Sequence, residues 1–343
     1  MIDPLLSSIE IVSVHTIGNA ALEEPSNFSQ KPLPLDTEEI HRALCRYFLS
    51  SFTTPEYYAF NTAENPAGNV IRSIAGDIFS DAQSFHTHSI AIAKHLFAVS
   101  THPNIKPGDL FVARLSGVTI GNAVYEALGL FKSENKETYL KLRNFSLGTE
   151  QGININALDK GCLILKTDEE AGYKILIVDK ANKTEAQFWK QDFLNISPWP
   201  DGFHHTRNFM DLTRQYVADQ MDEEFAVSRA DQIDLLNRSM RFFKSHEEFN
   251  KAAFETEVLG DVDVIESFRN YGKNFMAENN VEVADNFEIS AHAVQRQARV
   301  FKSVLKLDKN FHVYIHGNRQ LIEKGFDEAA GKHFYKLYFD EES

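Results

Sequence analysis

The chain has 343 residues, of which 43% are hydrophobic, a composition that indicates a folded globular protein and excludes a disordered one. Its length exceeds what a single hydrophobic core usually organises, which predicts two domains. The formal net charge of −14 opposes non-specific binding of phosphates over the surface as a whole. Any direct contact with nucleic acid would therefore need a local basic patch.

The sequence carries no signal for secretion or for membrane insertion. Met1–Pro4 lacks the basic start and apolar core of a signal peptide. No apolar run approaches the roughly 20 residues of a membrane-spanning helix. Cys45 and Cys162 form no spacing motif and are expected to be buried thiols in a reducing compartment. We therefore expect a cytoplasmic protein without membrane contact.

The first half of the chain predicts helices packed on an antiparallel β-meander. We expect a strand at Ile9–Val14 and helices starting near Asp36, at Gly68–Phe79 and at Phe85–Val99. Five β-rich segments joined by short polar connections then follow; they are Gly108–Leu115, Val124–Phe131, Thr138–Leu142, Gly161–Leu165 and Tyr173–Val178. The last two are continuous apolar runs, which indicates strands covered on both faces.

A change of periodicity at Ser197–Gly202, which holds two prolines and a glycine, predicts a domain boundary. It separates an α+β domain at 1–197 from a mainly helical domain at 203–343. Five helical segments are expected in the second domain; they are Phe203–Phe225, Ser228–Phe243, Glu247–Leu259, Val262–Glu278 and Ser290–Leu307. Ser228 is the expected cap of its helix, with Asp231 three residues later.

The end of the second domain is expected to be a small antiparallel β-unit. Phe311–His316, a turn at Gly317–Asn318 and Arg319–Lys324 predict a hairpin, and His333–Phe339 a further strand. The predicted fold class is thus α+β. An N-terminal antiparallel β-meander is covered by helices, and a mainly helical domain follows and ends in that β-unit.

The helix expected at Ser290–Leu307 is the one local electrostatic exception. At 100° per residue, four of its basic side chains fall within about a 120° arc; they are Arg296, Arg299, Lys302 and Lys306. Five basic residues against one aspartate between Arg296 and Lys309 give a local balance of +4. Such a face could contact several phosphates, although a solvated outer face is the simpler interpretation. These four residues are the DNA-binding candidates.

Histidines offer only a weak indication of a metal site. His88 and His95 are seven residues apart and return to nearly the same helix face, and His86 lies beside them. No acidic or cysteine partners accompany them at ligand spacing. We found no nucleophile, phosphate-loop or zinc-protease motif. The sequence therefore predicts no catalytic residues, no metal and no cofactor.

Three segments of the first domain resemble the bacterial nucleoid-associated protein family. Ser89–Phe97 is similar to its "S-x-x-I-A-x-x-L" helix, Ile105–Val112 to its "I-x-x-G-D-L" strand entry and Leu158–Ile164 to its "L-x-K-x-A-x-I" strand. Asn61 and Asn69 also match, and the closing Val313–Asn318 and His333–Tyr338 segments look like its terminal β-unit. Gly161 and Cys162 occupy positions where the family usually has different small residues.

The resemblance implies a non-enzymatic protein of the bacterial nucleoid that binds double-stranded DNA. It transfers no functional residue, because the matching positions are packing and turn residues. Two alternatives stay open at this point. The chain could reach the nucleoid through a DNA-metabolism protein, or it could be a metal-dependent enzyme that uses His86, His88 and His95. A homodimer is a further option that the sequence does not decide.

Overall fold

The structure is a computed structural model that describes residues 2–54, 56–61, 68–167, 172–180, 188–225, 227–279, 281–301, 304–315 and 319–341. The chain divides into two units, Met1–Trp199 and Pro200–Ser343. Each unit has its own hydrophobic core. No helix among these residues is both long and apolar enough to cross a membrane.

The first unit is built on an eight-stranded antiparallel sheet. The described part of this unit has ten strands, of which all but β6 and β7 belong to the sheet; they are β1 (Ser8–Ile17), β2 (Asn27–Phe28), β3 (Tyr57–Phe60), β4 (Gly108–Ile120), β5 (Ala123–Ser133), β6 (Glu137–Arg143), β7 (Ser146–Gly152), β8 (Lys160–Leu165), β9 (Lys174–Asp179) and β10 (Ile196–Pro198). Its α-helices are α1 (Glu38–Leu49), α2 (Val70–Ser80) and α3 (Phe85–Val99). The strand order in the sheet is β10-β3-β9-β8-β5-β4-β1-β2.

Helices cover both faces of this sheet, which explains the uninterrupted apolar runs of the central strands. On one face α2 and α3 pack against alternate sheet residues such as Leu128 and Ile164. On the other face α1 packs against the intervening residues, and Phe48 stacks on Phe131 with ring centroids 4.1 Å apart. Every residue of β8 is buried. The predicted meander with strands covered on both faces is confirmed.

The prediction that Thr138–Leu142 belongs to the meander is wrong. This segment lies in β6, which pairs only with β7 in a separate two-stranded sheet. The physical reason is that β5 already pairs with β4 on one side and with β8 on the other. Both edges of β5 are thus occupied, and residues 137–152 leave the sheet as a hairpin.

The second unit is mainly helical. Its α-helices are α4 (Gly202–Gln215), α5 (Met221–Phe225), α6 (Arg229–Ser245), α7 (Lys251–Phe254), α8 (Val262–Asn279) and α9 (Ala291–Gln297). Its strands are β11 (Glu248–Asn250), β12 (Asn286–Glu288), β13 (Val304–Leu307), β14 (Phe311–Tyr314), β15 (Ile322–Asp327) and β16 (Lys332–Leu337). Successive strands pair antiparallel, β11 with β12, β13 with β14 and β15 with β16.

The C-terminal β-unit consists of two hairpins, where the sequence predicts one hairpin and a strand. Phe311–Tyr314 pairs back onto β13, and Ile322–Asp327 pairs forward onto β16. The predicted turn at Gly317–Asn318 lies outside the described residues. The α+β fold class, with a helical second half that ends in small antiparallel sheets, is confirmed.

The long basic helix expected at Ser290–Leu307 does not form. The helix begins as predicted, with Ser290 as its N-cap, but it ends at Gln297. Val304–Leu307 is strand β13 instead. Leu305 enters a small core with Ile233 and Ile315, whereas its neighbour Lys306 is exposed. This alternation of buried and exposed residues is typical of a strand. The apolar residues at spacing three and four, which predicted a helix, are buried here without a continuous helix.

Candidate nucleic-acid interface

The outer face of α6 forms the first wall of a groove in the second unit. The helix begins with the predicted capping box. The Ser228 hydroxyl accepts from the Asp231 amide, and the Asp231 carboxylate accepts from the Ser228 amide at 2.8 Å. Apolar residues such as Leu235 and Phe242 bury the opposite face. The polar face then turns five side chains into the groove; they are Arg229, Asn237, Met240, Arg241 and Lys244.

The hairpin of β13 and β14 forms the second wall. Val304 pairs with Tyr314, and Lys306 pairs with His312. Directly opposed residues of an antiparallel pair share a face, as do alternate residues along a strand. All four side chains therefore face the same way, and all four line the groove. Leu305 faces the other way into the core.

The two walls are held together by a hydrogen bond and by shared apolar packing. Asn237 Nδ2 of α6 donates to the carbonyl oxygen of Ile315, just after β14, at 2.9 Å. Beneath this contact Leu305 and Ile315 from the hairpin pack with Ala230 and Ile233 from α6. The hairpin is thus anchored on the N-terminal half of the helix.

The groove is strongly positive. It has a volume of about 1160 Å³, and the described residues that line it include four permanent cations and one histidine but no aspartate or glutamate. The cations are Arg229, Arg241, Lys244 and Lys306. A chain of net charge −14 therefore concentrates unopposed positive charge in one concave place, where field lines are focused.

The acidic residues of α6 pair away from the groove. Asp231 receives a hydrogen bond from Arg319 Nε at 2.6 Å, and Asp234 pairs with Arg238 at 3.0 Å. In the described part of the chain, neither Arg241 nor Lys244 forms an ion pair. Their charges are therefore available to an anion from solution.

A second cavity adjoins the groove and has the opposite character. Its volume is about 760 Å³, and it shares Lys244 and Ala298 with the groove. Three glutamates line it; they are Glu247, Glu248 and Glu288. An anion that enters the groove is repelled from this side, which confines the anion-binding surface to α6 and the β13–β14 hairpin.

The four DNA-binding candidates from the sequence do not share one surface. Arg296 is exposed in the last turn of α9, with its guanidinium 6.0 Å from the centre of the Phe203 ring. Arg299 is exposed in the turn that follows, and Lys302 lies outside the described residues. Of the four, only Lys306 lines the groove among the described residues. The arc assumed a continuous helix, and that helix ends at Gln297.

The three candidate metal histidines contact different partners. His86 Nδ1 lies 2.9 Å from the Ser13 hydroxyl, His88 Nε2 lies 4.0 Å from an Asp77 oxygen, and His95 Nε2 lies 3.1 Å from the Phe193 carbonyl oxygen. Within the described residues no group of three metal-ligating side chains occurs. The structure therefore does not bring these rings to a common point.

Sequence reasoning missed most of the groove. Arg241 and Lys244 are three residues apart on the polar face of α6, a pattern visible in the sequence but typical of any solvated helix. Nothing in the sequence indicates that His312 and Tyr314 lie opposite them, because that contact depends on where the hairpin packs. The basic residues of two distant segments form one site only in the folded unit.

Comparison with known families identifies the chain. A family model described as nucleoid-associated protein YejK matches residues 13–332, which includes most of the main sheet and both walls of the groove. The chain belongs to this family. The resemblance seen in the first-domain motifs is thereby confirmed, and it extends through the helical unit. As a member of the YejK family, the chain is a nucleoid-associated protein. No curated protein matches it significantly.

Proposed function

We propose that the chain binds double-stranded DNA without enzymatic action, through the groove between α6 and the β13–β14 hairpin. The observation that supports this most strongly is the cluster of four cations, with no carboxylate among the described residues that line the groove, in a chain of net charge −14. Lys and Arg contacts to phosphates supply most of the sequence-independent affinity of DNA-binding proteins.

The dimensions of the groove suit a stretch of DNA backbone. Arg229 and Lys244 lie at opposite ends of the α6 wall, about 22 Å apart at 1.5 Å per residue. Phosphates on one strand of a duplex advance by about 3.4 Å along the axis, so the wall is long enough to follow several of them. Arg296, exposed in the last turn of α9, and Arg299, exposed just after it, would contribute secondary contacts at the flank.

The test is the affinity of the full chain for a fluorescent duplex of about 25 base pairs, measured by anisotropy at low and physiological salt. We expect R241E/K244E to weaken binding about tenfold or more, since it replaces two attractions by two repulsions. K273E/K324E is the matched control, because Lys273 and Lys324 are exposed residues of the same unit outside the groove. It makes the same change in net charge.

The control separates the groove from the overall charge. Equal losses in R241E/K244E and K273E/K324E would mean that only net charge matters, and no loss in R241E/K244E would remove the groove from the proposal. R296E/R299E tests the contribution of Arg296 and Arg299 to DNA affinity, and we expect a smaller loss of affinity than for R241E/K244E. Purified wild-type protein without DNA affinity would favour the alternative in which a DNA-metabolism partner brings the chain to the nucleoid.

A further inference from the structure

The hairpin of β6 and β7 exposes an apolar face that no other described element covers. Leu140 pairs with Thr149 and Leu142 pairs with Leu147, so the three leucines lie on one face. Leu140 is 72% exposed, Leu142 is 71% exposed and Leu147 is 64% exposed. This hairpin forms its own two-stranded sheet, and an isolated pair of strands is only marginally stable in water. We call residues 137–152 the arm.

The tip of the arm strengthens this observation. Asn144 and Phe145 connect the strands with φ angles of 47° and 61°, which is the pair of positive angles of a type I′ turn. Glycine is the favoured second residue of such a turn, and a bulky residue at positive φ is strained. Phe145 is nonetheless there and is fully exposed. Within a single chain this side chain contributes strain and exposed apolar surface without a compensating contact.

The charges of the arm favour contact with a second copy of itself. The strands carry two acidic and two basic side chains, which are Glu137, Glu150, Lys141 and Arg143. Lys141 pairs with Glu150 across the strands. The arm is therefore neutral within a chain of net charge −14, so two arms meet without the like-charge repulsion that opposes contact elsewhere.

The area of the patch is also sufficient. With about 150 Å² for a large side chain, the exposed parts of Leu140, Leu142, Phe145 and Leu147 amount to on the order of 500 Å² per chain. Two arms face to face would remove on the order of 1,000 Å² from water, about the lower limit for a specific interface. Thr138, Thr149 and Gln151 on the same face would add to it.

We infer that the chain forms a homodimer in which the apolar faces of two arms cover each other, with Phe145 of each chain packed against the other arm. This inference is independent of the groove, which lies in the other unit. A symmetric contact of this kind uses the same surface on both copies and closes at two chains.

The experiment is sedimentation equilibrium of the full chain over a concentration series up to about 100 µM, above the micromolar Kd of weak interfaces of standard size. We expect a dimer for the wild type and a Kd about tenfold higher or more for L140S/L142S, the usual effect of truncating interface anchors. L5S/L6S is the matched control, because Leu5 and Leu6 are 80% and 62% exposed outside the arm. It should dimerise like the wild type.

F145G distinguishes a role of Phe145 in dimerisation from a role in the stability of the monomer. Asn-Gly is the preferred type I′ turn, so F145G should leave the thermal stability of the monomer unchanged or raised while it raises the dimer Kd about tenfold. A wild-type chain that stays monomeric at about 100 µM would overturn the inference. The inference would also be overturned if L140S/L142S and F145G both dimerised with the Kd of the wild type.

Discussion

At the scale of single residues, His15 shows how burial selects one protonation state. Its ring is 1% exposed. The Ser29 amide donates to Nδ1 at 3.2 Å, so the proton of the neutral ring is on Nε2, which donates to the Ser89 hydroxyl oxygen at 3.0 Å. Ser89 in turn donates to the His86 carbonyl oxygen. Burial, and secondarily the His86 ring, lower the pKa of His15 to about 4.

This shift predicts that the first unit loses stability in mild acid. The unfolded His15 has a pKa of about 6.5, so between that value and about 4 the unfolded chain binds a proton that the folded chain excludes. Stability is therefore full above about pH 6.5 and falls toward pH 4, by up to about 3 kcal/mol. We expect H15Q to remove most of this dependence.

Urea unfolding of the full chain, followed by tryptophan fluorescence at about pH 7.5 and 4.5, measures the effect. Trp189 is fully buried in the same core as the sheet. H292Q, at an exposed position of α9, should keep the wild-type dependence. If H15Q and the wild type lost the same free energy of unfolding between the two pH values, another group would be responsible.

At the scale of elements, the N-terminus of α6 positions the groove. Burial opposes ionisation of Asp231, but hydrogen bonds from Ser228 and Arg319 outweigh it and hold the pKa of this carboxyl below its usual value. Arg319 also donates to the Ile322 carbonyl oxygen. One ion pair thus joins the start of α6 to the segment that leads into β15.

Removal of the cap should destabilise α6 locally. We expect S228A to lower the free energy of opening of the first turns of α6 by about 1 kcal/mol, because it removes the side-chain oxygen that accepts from the Asp231 amide. S245A, at the other end of the same helix, should change it by less than about 0.5 kcal/mol. Native-state hydrogen exchange of α6 amides measures both, and equal protection in S228A and the wild type would contradict the prediction.

The same element scale shows where sequence patterns suffice and where they fail. The capping box at Ser228 and the start of a helix at Ser290 are local features, and the sequence predicted both. The end of α9 could not be predicted from the sequence. The apolar residues Val294, Phe301 and Leu305 are compatible with one continuous helix, and equally with the observed helix followed by a turn and a strand. The choice is made by the core under β13, which Leu305 enters together with residues of α6 and β15.

At the scale of the whole molecule, electrostatics decides how DNA binding would depend on salt. Four groove cations release about four counterions, which gives a slope of about −3.6 in a plot of log K against log salt. R241E/K244E removes two of the four cations and should therefore reduce the magnitude of the slope to about 1.8 or less. Anisotropy titrations over a salt series measure both slopes. An unchanged slope in the variant would place the phosphate contacts elsewhere.

The sequence by itself determined the family, the α+β class, the two-sided burial of the central strands and the capped start of α6. These features depend on periodicity, turn chemistry and caps, which act between residues near each other in the chain. The structure alone decided that residues 137–152 leave the sheet as an arm and that Lys306 lies opposite Arg241 and Lys244. These features depend on which strand edges are already occupied and on how distant side chains share one core, and neither is encoded in a local pattern.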